Sequence, residues 1–324
     1  MSLWKLRLSV FGTLAVIIGL STLFFTILMT LLGVSNLFLL AIMVVGFNLA
    51  QWLFAPYLID RMYRAKEVSE SDEPVLFRTF NSLLRKSALK RPKLMLADIS
   101  LPNAFAYGSP LMGTKVAVTR GLLDSLEHEE VEAVIGHELG HLKHRDVQIM
   151  MFVSVLPAVF YFIGFSMLLS SMWGRRDRGG GAALIGLASM LLYWILSMFV
   201  MYLSRLREYY ADRYSASIVE DGPRKLSEGL AKIVASTAKM RKTAKMGRRG
   251  AAPVNSGFKN LFISDPDKAL QDTVELSGAR GFRADQRLVR EILSRKITTA
   301  ERMAELFSSH PNIVKRLRAL QALS

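Results

Sequence analysis

The sequence contains no cysteine, which excludes disulfide bonds and thiolate metal ligands. Histidine is scarce as well: the chain has five, and three of them fall between positions 137 and 144. Acidic residues are outnumbered by basic ones, 27 to 42, and the formal net charge is +15. No basic stripe interleaved with aromatic residues and no known nucleic-acid module accompanies this charge, so we predict no nucleic-acid partner.

Charged residues and histidine are absent from Leu8 through Ile59. A transmembrane helix needs about 20 apolar residues, so this run predicts two spans within residues 8–56. Two more uncharged runs, Val147–Gly174 and Gly179–Ser204, predict a third and a fourth span that form a hairpin over residues 147–204. The alternative is that this hairpin is buried in the core of a soluble protein.

The basic residues that flank the predicted spans favour one orientation. On one side lie Lys5, Arg7, Arg61, Arg64, Lys66, Lys143, Arg145, Arg205 and Arg207. Because lysine and arginine are enriched on the cytoplasmic side, we predict a multi-pass protein of the cell membrane with cytoplasmic segments 57–146 and 205–324. The arginines of 175–178 fall on the other side and weaken this orientation. The basic stretch 239–253 would be attracted to anionic membrane lipid, and a disordered loop without a partner is an equal alternative. No oligomeric state is predicted.

The pentapeptide His-Glu-Leu-Gly-His at 137–141 carries the strongest chemical signal. It lies in a proline-free stretch of good helix formers, Glu129–Asp146. On a helix, His137 and His141 project from one face and can bind a single Zn²⁺, while Glu138 beside them can act as a general base. The alternative is a helix that carries surface histidines.

A zinc hydrolase needs a third protein ligand and an open position for water. A metzincin would have glycine at 144 and histidine at 147, but this chain has His144 and Val147. The third ligand must therefore come from a distant segment, and Glu208 and Asp212, four residues apart on a predicted helix, are the best candidates. One of them can bind zinc while the other accepts the N–H of a ligand imidazole. The alternative is a solvated charged helix.

The two soluble segments differ in their predicted secondary structure. The first is predicted to contain helices at Asp72–Leu89, Asp124–Leu126 and Glu129–Lys143, and short strands at 92–97, 104–107 and 115–119, with a turn at 108–113. The second is mainly helical, with helices at Ser227–Met246, Asp285–Arg295 and Thr298–Leu306.

Two further groups of residues are candidates for contact with a polypeptide substrate. Asn103, Ala104 and Phe105 could form an exposed strand edge that pairs with an extended substrate, although an ordinary core hairpin is equally consistent with the pattern. Near the end of the sequence, His310 and Arg316 could both stabilise an oxyanion. The alternative for His310 is a helix-capping or surface position.

These stretches together resemble the HtpX-type integral membrane zinc metalloproteases, which are related to the CAAX prenyl proteases. The matching stretches occur in family order, and they are Pro102–Ala106, 137–141 with Asp146 beyond, Ser204–Glu208 with Ala211 and Asp212, Asn260–Ile263, and His310-Pro311. Two features depart from the family pattern: 265–302 is longer than expected, and Asn312 stands where a second proline is usual.

The resemblance implies a role for each site residue. It implies that one Zn²⁺ per chain is held by His137, His141 and Glu208, and that Glu138 is the catalytic base. It also implies that Asp212 supports a ligand and that His310 and Arg316 line the site.

The implied fold is mainly α, of the α+β class: four transmembrane helices and a gluzincin-like zinc peptidase domain with a small β-sheet, assembled from two cytoplasmic segments. The implied function is an endopeptidase that cleaves misfolded or damaged membrane proteins at the cytoplasmic face, in protein quality control. Its partners would be unfolded polypeptides and membrane lipid.

Three alternatives to this function remain at the level of sequence. One is a CAAX-type processing protease, and another is a zinc-binding membrane adaptor without turnover, against which the intact Glu138 argues. The last is a metal transporter, but the long apolar runs carry no charged residue or histidine that could conduct ions.

Overall fold

The computed structural model describes residues 37–173, 179–245 and 282–324. The first predicted span, most of the basic stretch 239–253 and the stretch Asn260–Ile263 lie outside the described residues. The chain divides into two compact units, one drawn from residues up to Leu53 and from Gln148–Tyr202, the other from Phe54–Val147 and Leu203–Ser324.

In chain order the described elements are α1 (Leu37–Met62), β1 (Lys66–Glu67), α2 (Pro74–Ser87), β2 (Lys93–Ala97), β3 (Ala104–Ser109), β4 (Gly113–Thr119), α3 (Arg120–Ser125), α4 (His128–Lys143), α5 (Asp146–Trp173), α6 (Gly179–Ile218), α7 (Gly222–Lys245), α8 (Phe282–Ser294), α9 (Thr299–Leu306) and α10 (Ile313–Gln321). The prediction of a mainly helical α+β fold with a small sheet is confirmed.

Two of the described helices are long and apolar enough to cross a membrane: Asp146–Met172 within α5 and Gly181–Ile218 within α6, each with a mean hydropathy of 2.1. Only 24% of the most apolar 18-residue stretch in the first helix is buried, and only 11% of that in the second. A core hairpin of a soluble protein would be mostly buried. Large exposed side chains on these helices include Leu156, Met172, Leu184, Leu187, Leu191 and Phe199.

Within the first unit, α5 and α6 approach each other closely at small residues. A Cβ atom added to Gly164 would lie 3.0 Å from the carbonyl oxygen of Gly186, and one added to Gly186 would lie 3.0 Å from the backbone nitrogen of Leu168. The Tyr161 and Tyr193 rings meet edge to face nearby, with their centroids 5.2 Å apart. Close backbone approach at glycine is typical of helix pairs in membranes.

The second unit contains a four-stranded mixed sheet in the order β1-β2-β4-β3. The pair β2–β4 is parallel, whereas β1–β2 and β3–β4 are antiparallel, with Ala104 opposite Val118. The β3–β4 hairpin turns through Gly108 and Gly113, whose φ angles are +155° and +71°. The order leaves β3 at one edge of the sheet, where the sequence predicted an edge strand.

The two faces of the sheet bury different side chains. One face contributes Leu94, Ala104, Val116 and Val118 to the main core, which also contains the apolar side of α4. The other face buries Phe105 and Tyr107 against Ile59 and Tyr63, which lie at and just beyond the end of α1. The sheet is therefore buried on both sides.

Helix α4 begins and ends at clear sequence signals. Its N-terminus is closed by a capping box between Glu127 and Glu130, and His141 and Lys143 occupy its last turn. Beyond Lys143 the chain turns through Arg145, whose φ angle is +55°. That left-handed residue ends the helix and directs the chain into α5.

Two glycines let α4 cross α6 at very short distance. A Cβ atom at Gly136 would lie 2.9 Å from the Ser215 hydroxyl oxygen, and one at Gly140 would lie 3.0 Å from the Cα atom of Ala211. The Ser215 hydroxyl donates to the carbonyl oxygen of Ala133 at 2.6 Å. This crossing brings the face of α4 that carries the histidine pair against the acidic turn of α6.

Several predicted boundaries differ from the observed ones. Helix α3 covers Arg120–Ser125 rather than 124–126, because the Thr119 hydroxyl accepts a hydrogen bond from the Leu122 nitrogen at 3.1 Å and caps it. Helix α7 begins at Gly222, five residues before the predicted start. Helix α8 begins at Phe282, three residues before the predicted start at Asp285, and its Leu288, Val289 and Ile292 join the main core. The two-residue strand β1 was not predicted.

Candidate active site

The histidine pair of α4 belongs to the second unit, where His137 is buried and His141 is partly buried. The Nε2 atoms of His137 and His141 are 3.1 Å apart. His137 and Glu138 are 0% and 3% exposed, and the possible donor atoms of these three residues lie within 4.8 Å of one another. The spacing of four residues therefore does what the sequence predicted: it directs both rings to one place, beside a buried carboxylate.

Glu208 of α6 completes a triangle of donor atoms. Its Oε2 atom lies 3.6 Å from Nε2 of His137, and its Oε1 atom lies 3.5 Å from Nε2 of His141. A tetrahedral ion with bonds of ~2.0–2.1 Å would have donors about 3.3–3.4 Å apart. Two imidazole nitrogens and one carboxylate at these separations fit a Zn²⁺ ion with three protein ligands.

Asp212 occupies a different place from Glu208, although the two share a helix face. Its Oδ1 atom lies 2.9 Å from Nδ1 of His137, which is the ring nitrogen turned away from the triangle. Glu208, and not Asp212, faces the two Nε2 atoms. Of the two arrangements that the sequence left open, the structure has the one in which the aspartate supports a histidine.

Arg316 of α10 ties the two carboxylates together. Its Nε and Nη2 atoms donate to Asp212 at 2.9 and 2.5 Å, and its Nη1 atom lies 3.0 Å from Oε2 of Glu208. The guanidinium is 2% exposed. Burial lowers the pKa of Arg316, but the neighbouring carboxylates of Asp212 and Glu208 outweigh burial and raise it. Arg316 is thus a permanent cation that compensates two buried acids.

His310 lies on the other side of Glu208 and is buried, which excludes the surface position considered as its alternative. Its Nδ1 atom is 3.3 Å from Oε1 of Glu208. Its Nε2 atom is also buried and has no hydrogen-bond partner among the described residues. The α10 cap is Asn312 rather than His310, since the Asn312 side chain accepts from the Val314 nitrogen at 2.9 Å.

Arg205, whose role the sequence did not indicate, holds the segment that carries His310. Its Nη1 atom donates to the carbonyl oxygens of Glu305 and Ser308, each at 2.8 Å. The Ser308 hydroxyl in turn donates to the carbonyl oxygen of His310 at 2.9 Å. Arg205 lies three residues before Glu208 in α6, so it reaches the segment from the same face of the helix.

Asp146 contacts the second histidine in a way that the sequence did not predict. Its Oδ2 atom is 2.6 Å from Nδ1 of His141, and its Oδ1 atom is 2.9 Å from Nε of Arg207. On a continuous helix a residue five positions on would point about 140° away. The left-handed Arg145 interrupts the helix and brings the carboxylate back to the imidazole.

Carboxylates surround His141 and favour positive charge there. Burial lowers the pKa of this imidazole, but Asp146, Glu208 and Glu138 together raise it above its ordinary value. The negative charge of these carboxylates attracts a metal cation as it attracts a proton. The residues therefore suit a metal ion by their charge as well as by their spacing.

The candidate substrate strand is buried at its side chains. Asn103, Ala104 and Phe105 are 1%, 1% and 3% exposed. Ala104 lies on the face of the sheet that packs with α4, whereas the Phe105 ring packs against Tyr63 on the opposite face, with centroids 5.4 Å apart. Any contact of this strand with an extended peptide would therefore use its backbone.

Comparisons with known proteins identify the family of this chain. The family model described as peptidase family M48 matches residues 70–324. A protease HtpX homolog of Thermoplasma acidophilum is 34% identical over 278 residues, which cover 85% of this chain and 82% of that protein. A protease HtpX homolog of Aeropyrum pernix is 35% identical over 322 residues, covering 98% and 96%.

One solved structure is similar in fold. The crystal structure of S. mikatae Ste24p matches with a TM-score of 0.55 and 16% identity, over 98% of this chain and 66% of that one. At this identity the likeness shows the fold alone. The resemblance to HtpX-type proteases that the motifs indicated is confirmed by the sequence relatives. The chain therefore belongs to peptidase family M48 and is a metal-dependent peptidase.

Proposed function

We propose that the protein is a membrane-embedded zinc endopeptidase that cleaves unfolded or damaged membrane proteins at the cytoplasmic face, as a part of protein quality control. The observation that carries this proposal is the triangle of His137, His141 and Glu208 donor atoms, with the buried Glu138 beside it. Imidazole and carboxylate donors of this number and spacing suit Zn²⁺, and three protein ligands are typical of catalytic zinc.

Each residue of the site has a different role in the proposed peptide hydrolysis. A bound Zn²⁺ would acidify water and polarise the scissile carbonyl. Glu138 accepts a proton from the attacking water and transfers it to the leaving amine nitrogen. His310, whose Nε2 atom is buried without a described partner, is placed to donate to the developing oxyanion. Arg316 is already engaged by two carboxylates, so its main role in this proposal is to hold Asp212 and Glu208.

The membrane placement rests on the apolar helices and on the positive residues around them. The exposed apolar surfaces of α5 and α6 suit lipid. The two further spans of the proposal rest on the uncharged run from Leu8 to Ile59 in the sequence. The histidines precede α5 and Glu208 lies in the last part of α6, so an even number of crossings is required for the site to form. The outer edge of β3 is proposed to bind an extended substrate through backbone hydrogen bonds, which demand little of its sequence.

The function is tested by metal-dependent cleavage in detergent. Protein stripped with a chelator is expected to leave unfolded casein intact. One equivalent of Zn²⁺ is expected to restore cleavage. Mg²⁺ is not expected to restore it, because Mg²⁺ prefers oxygen ligands. His141→Ala should lose both bound zinc and cleavage, because it removes a donor atom. The matched control is His128→Ala, an exposed histidine of the same helix, which should retain both. Equal zinc binding by His141→Ala and wild type would overturn the assignment.

The orientation is tested by labelling single cysteines, for which the cysteine-free chain is a natural background. In intact cells, a membrane-impermeant maleimide is expected to label Asp177→Cys, in the segment between the hairpin helices. Glu70→Cys, at an exposed position of the second unit, should be labelled only after the membrane is permeabilised. The reverse pattern would show that the catalytic face is not cytoplasmic.

A further inference from the structure

Each histidine of the site has an aspartate next to its Nδ1 atom, and each of these aspartates is paired with an arginine. Behind His137 stand Asp212 and Arg316, and behind His141 stand Asp146 and Arg207. We propose that Asp146, held by Arg207, is the positioning residue that fixes the tautomer and direction of His141 for metal binding. This inference rests on the proposed function, because it takes His141 to be a metal ligand.

The contact between Asp146 and His141 sets which ring nitrogen carries the proton. The Nδ1 and Oδ2 atoms are 2.6 Å apart, which is a short, charge-assisted hydrogen bond. A proton on Nδ1 leaves Nε2 with a free lone pair, and Nε2 is the atom that lies 3.1 Å from its counterpart in His137. A carboxylate behind an imidazole makes it a more basic ligand and prevents it from rotating.

Arg207 stabilises the buried carboxylate of Asp146. The Asp146 side chain is only 2% exposed, and a buried carboxylate is costly unless it is paired. Arg207 lies 2.9 Å from Oδ1, so the ion pair uses one oxygen and leaves Oδ2 for the histidine. Asp146 is also the first residue of α5, where the helix dipole favours negative charge.

The two histidines are supported by two separate aspartate–arginine pairs. Arg316 touches both Asp212 and Glu208, so a change there disturbs two parts of the site. Asp146 and Arg207 reach the donor triangle through His141. A substitution of Asp146 should therefore weaken one ligand and leave the contacts of His137 and Glu208 in place.

The proposal is tested by substituting Asp146 and measuring the metal centre directly. For Asp146→Ala we expect the Zn²⁺ dissociation constant, from competition with a chromophoric chelator, to rise roughly 10- to 100-fold. The visible absorption bands of the Co²⁺-substituted protein should shift, because His141 is no longer held in one orientation. Cleavage should show a lower kcat with little change in KM, since the substrate strand is elsewhere.

Conservative variants separate positioning from a purely structural role. Asp146→Asn keeps a neutral acceptor and should lose less zinc affinity than Asp146→Ala, while Arg207→Gln should change affinity and the Co²⁺ spectrum in the same direction. If Asp146→Ala fails to fold, these two variants decide the question. The control Asp124→Ala, at an exposed aspartate, should match the wild type in every measurement.

Two results would count against the inference in different ways. If wild type binds zinc and His141→Ala does not, but the Asp146 and Arg207 variants keep wild-type affinity and Co²⁺ bands, the positioning role is wrong and the peptidase stands. If His141→Ala itself binds zinc as wild type does, the proposed function fails and this inference fails with it.

Discussion

Glu138→Gln is expected to bind zinc as the wild type does and to lose peptide cleavage. Glutamine has almost the same shape as glutamate, and position 138 is 3% exposed, so the fold and the neighbouring histidines should be undisturbed. The amide cannot accept a proton from water at neutral pH, and loss of a general base costs roughly 10²- to 10⁴-fold in rate. Cleavage of casein and metal content are measured on the same preparation.

The matched control for this variant is Glu132→Gln on the same helix. Glu132 pairs with Lys225 at 3.1 Å, away from the donor triangle, so its loss should leave cleavage and zinc content near those of the wild type. Wild-type turnover by Glu138→Gln would remove Glu138 from the role of base. Loss of zinc from Glu138→Gln would make it a ligand or a structural residue instead.

Arg316→Met is expected to destabilise the second unit strongly, and more so in the stripped protein than in the zinc-loaded protein. The substitution leaves the buried carboxylates of Asp212 and Glu208 without their cation, and breaking a buried pair in this way costs about 3–5 kcal/mol. Zinc would restore positive charge beside Glu208, so the deficit should be smaller for the zinc-loaded protein than for the stripped protein. Thermal unfolding of both forms measures the difference.

Two variants control for loss of charge and loss of a side chain. Arg316→Lys keeps the charge but cannot reproduce the paired contacts to Asp212, so an intermediate stability is expected. Arg318→Met removes an exposed arginine from the same helix, whose described contacts are with the carbonyl oxygens of Leu293 and Arg295, and it should cost little. Equal stability of Arg316→Met and Arg318→Met would contradict the view that Arg316 compensates buried charge.

The residues of the site that could be predicted are those whose geometry is local. His137 and His141 could be paired because a spacing of four on a helix determines a common face. Glu208 and Asp212 could be named for the same reason, but spacing alone does not tell which of them faces the Nε2 atoms of the histidine pair. That choice depends on the close crossing at Gly136 and Gly140, which is a tertiary feature.

The residues that were missed depend on a break in the helix or on distant segments. Asp146 reaches His141 only because Arg145 adopts a left-handed conformation, whereas the helical pattern would carry it to another face. Arg205 supports carbonyl groups a hundred residues later in the chain, and the sequence carries no signal for such a contact. The bounds of helix α8 were predicted to within a few residues because its apolar periodicity is strong. The periodicity does not tell which elements the helix packs against.

The order of the three proposed zinc ligands along the chain has a consequence for when the enzyme becomes active. His137 and His141 lie in α4, before the two long apolar helices, and Glu208 lies in the last part of the second of them. During synthesis the histidines leave the ribosome first, and the third donor follows only after α5 and most of α6 have been made. A nascent chain therefore carries an incomplete centre until that hairpin is formed, so proteolytic competence is delayed until after the hairpin has been synthesised.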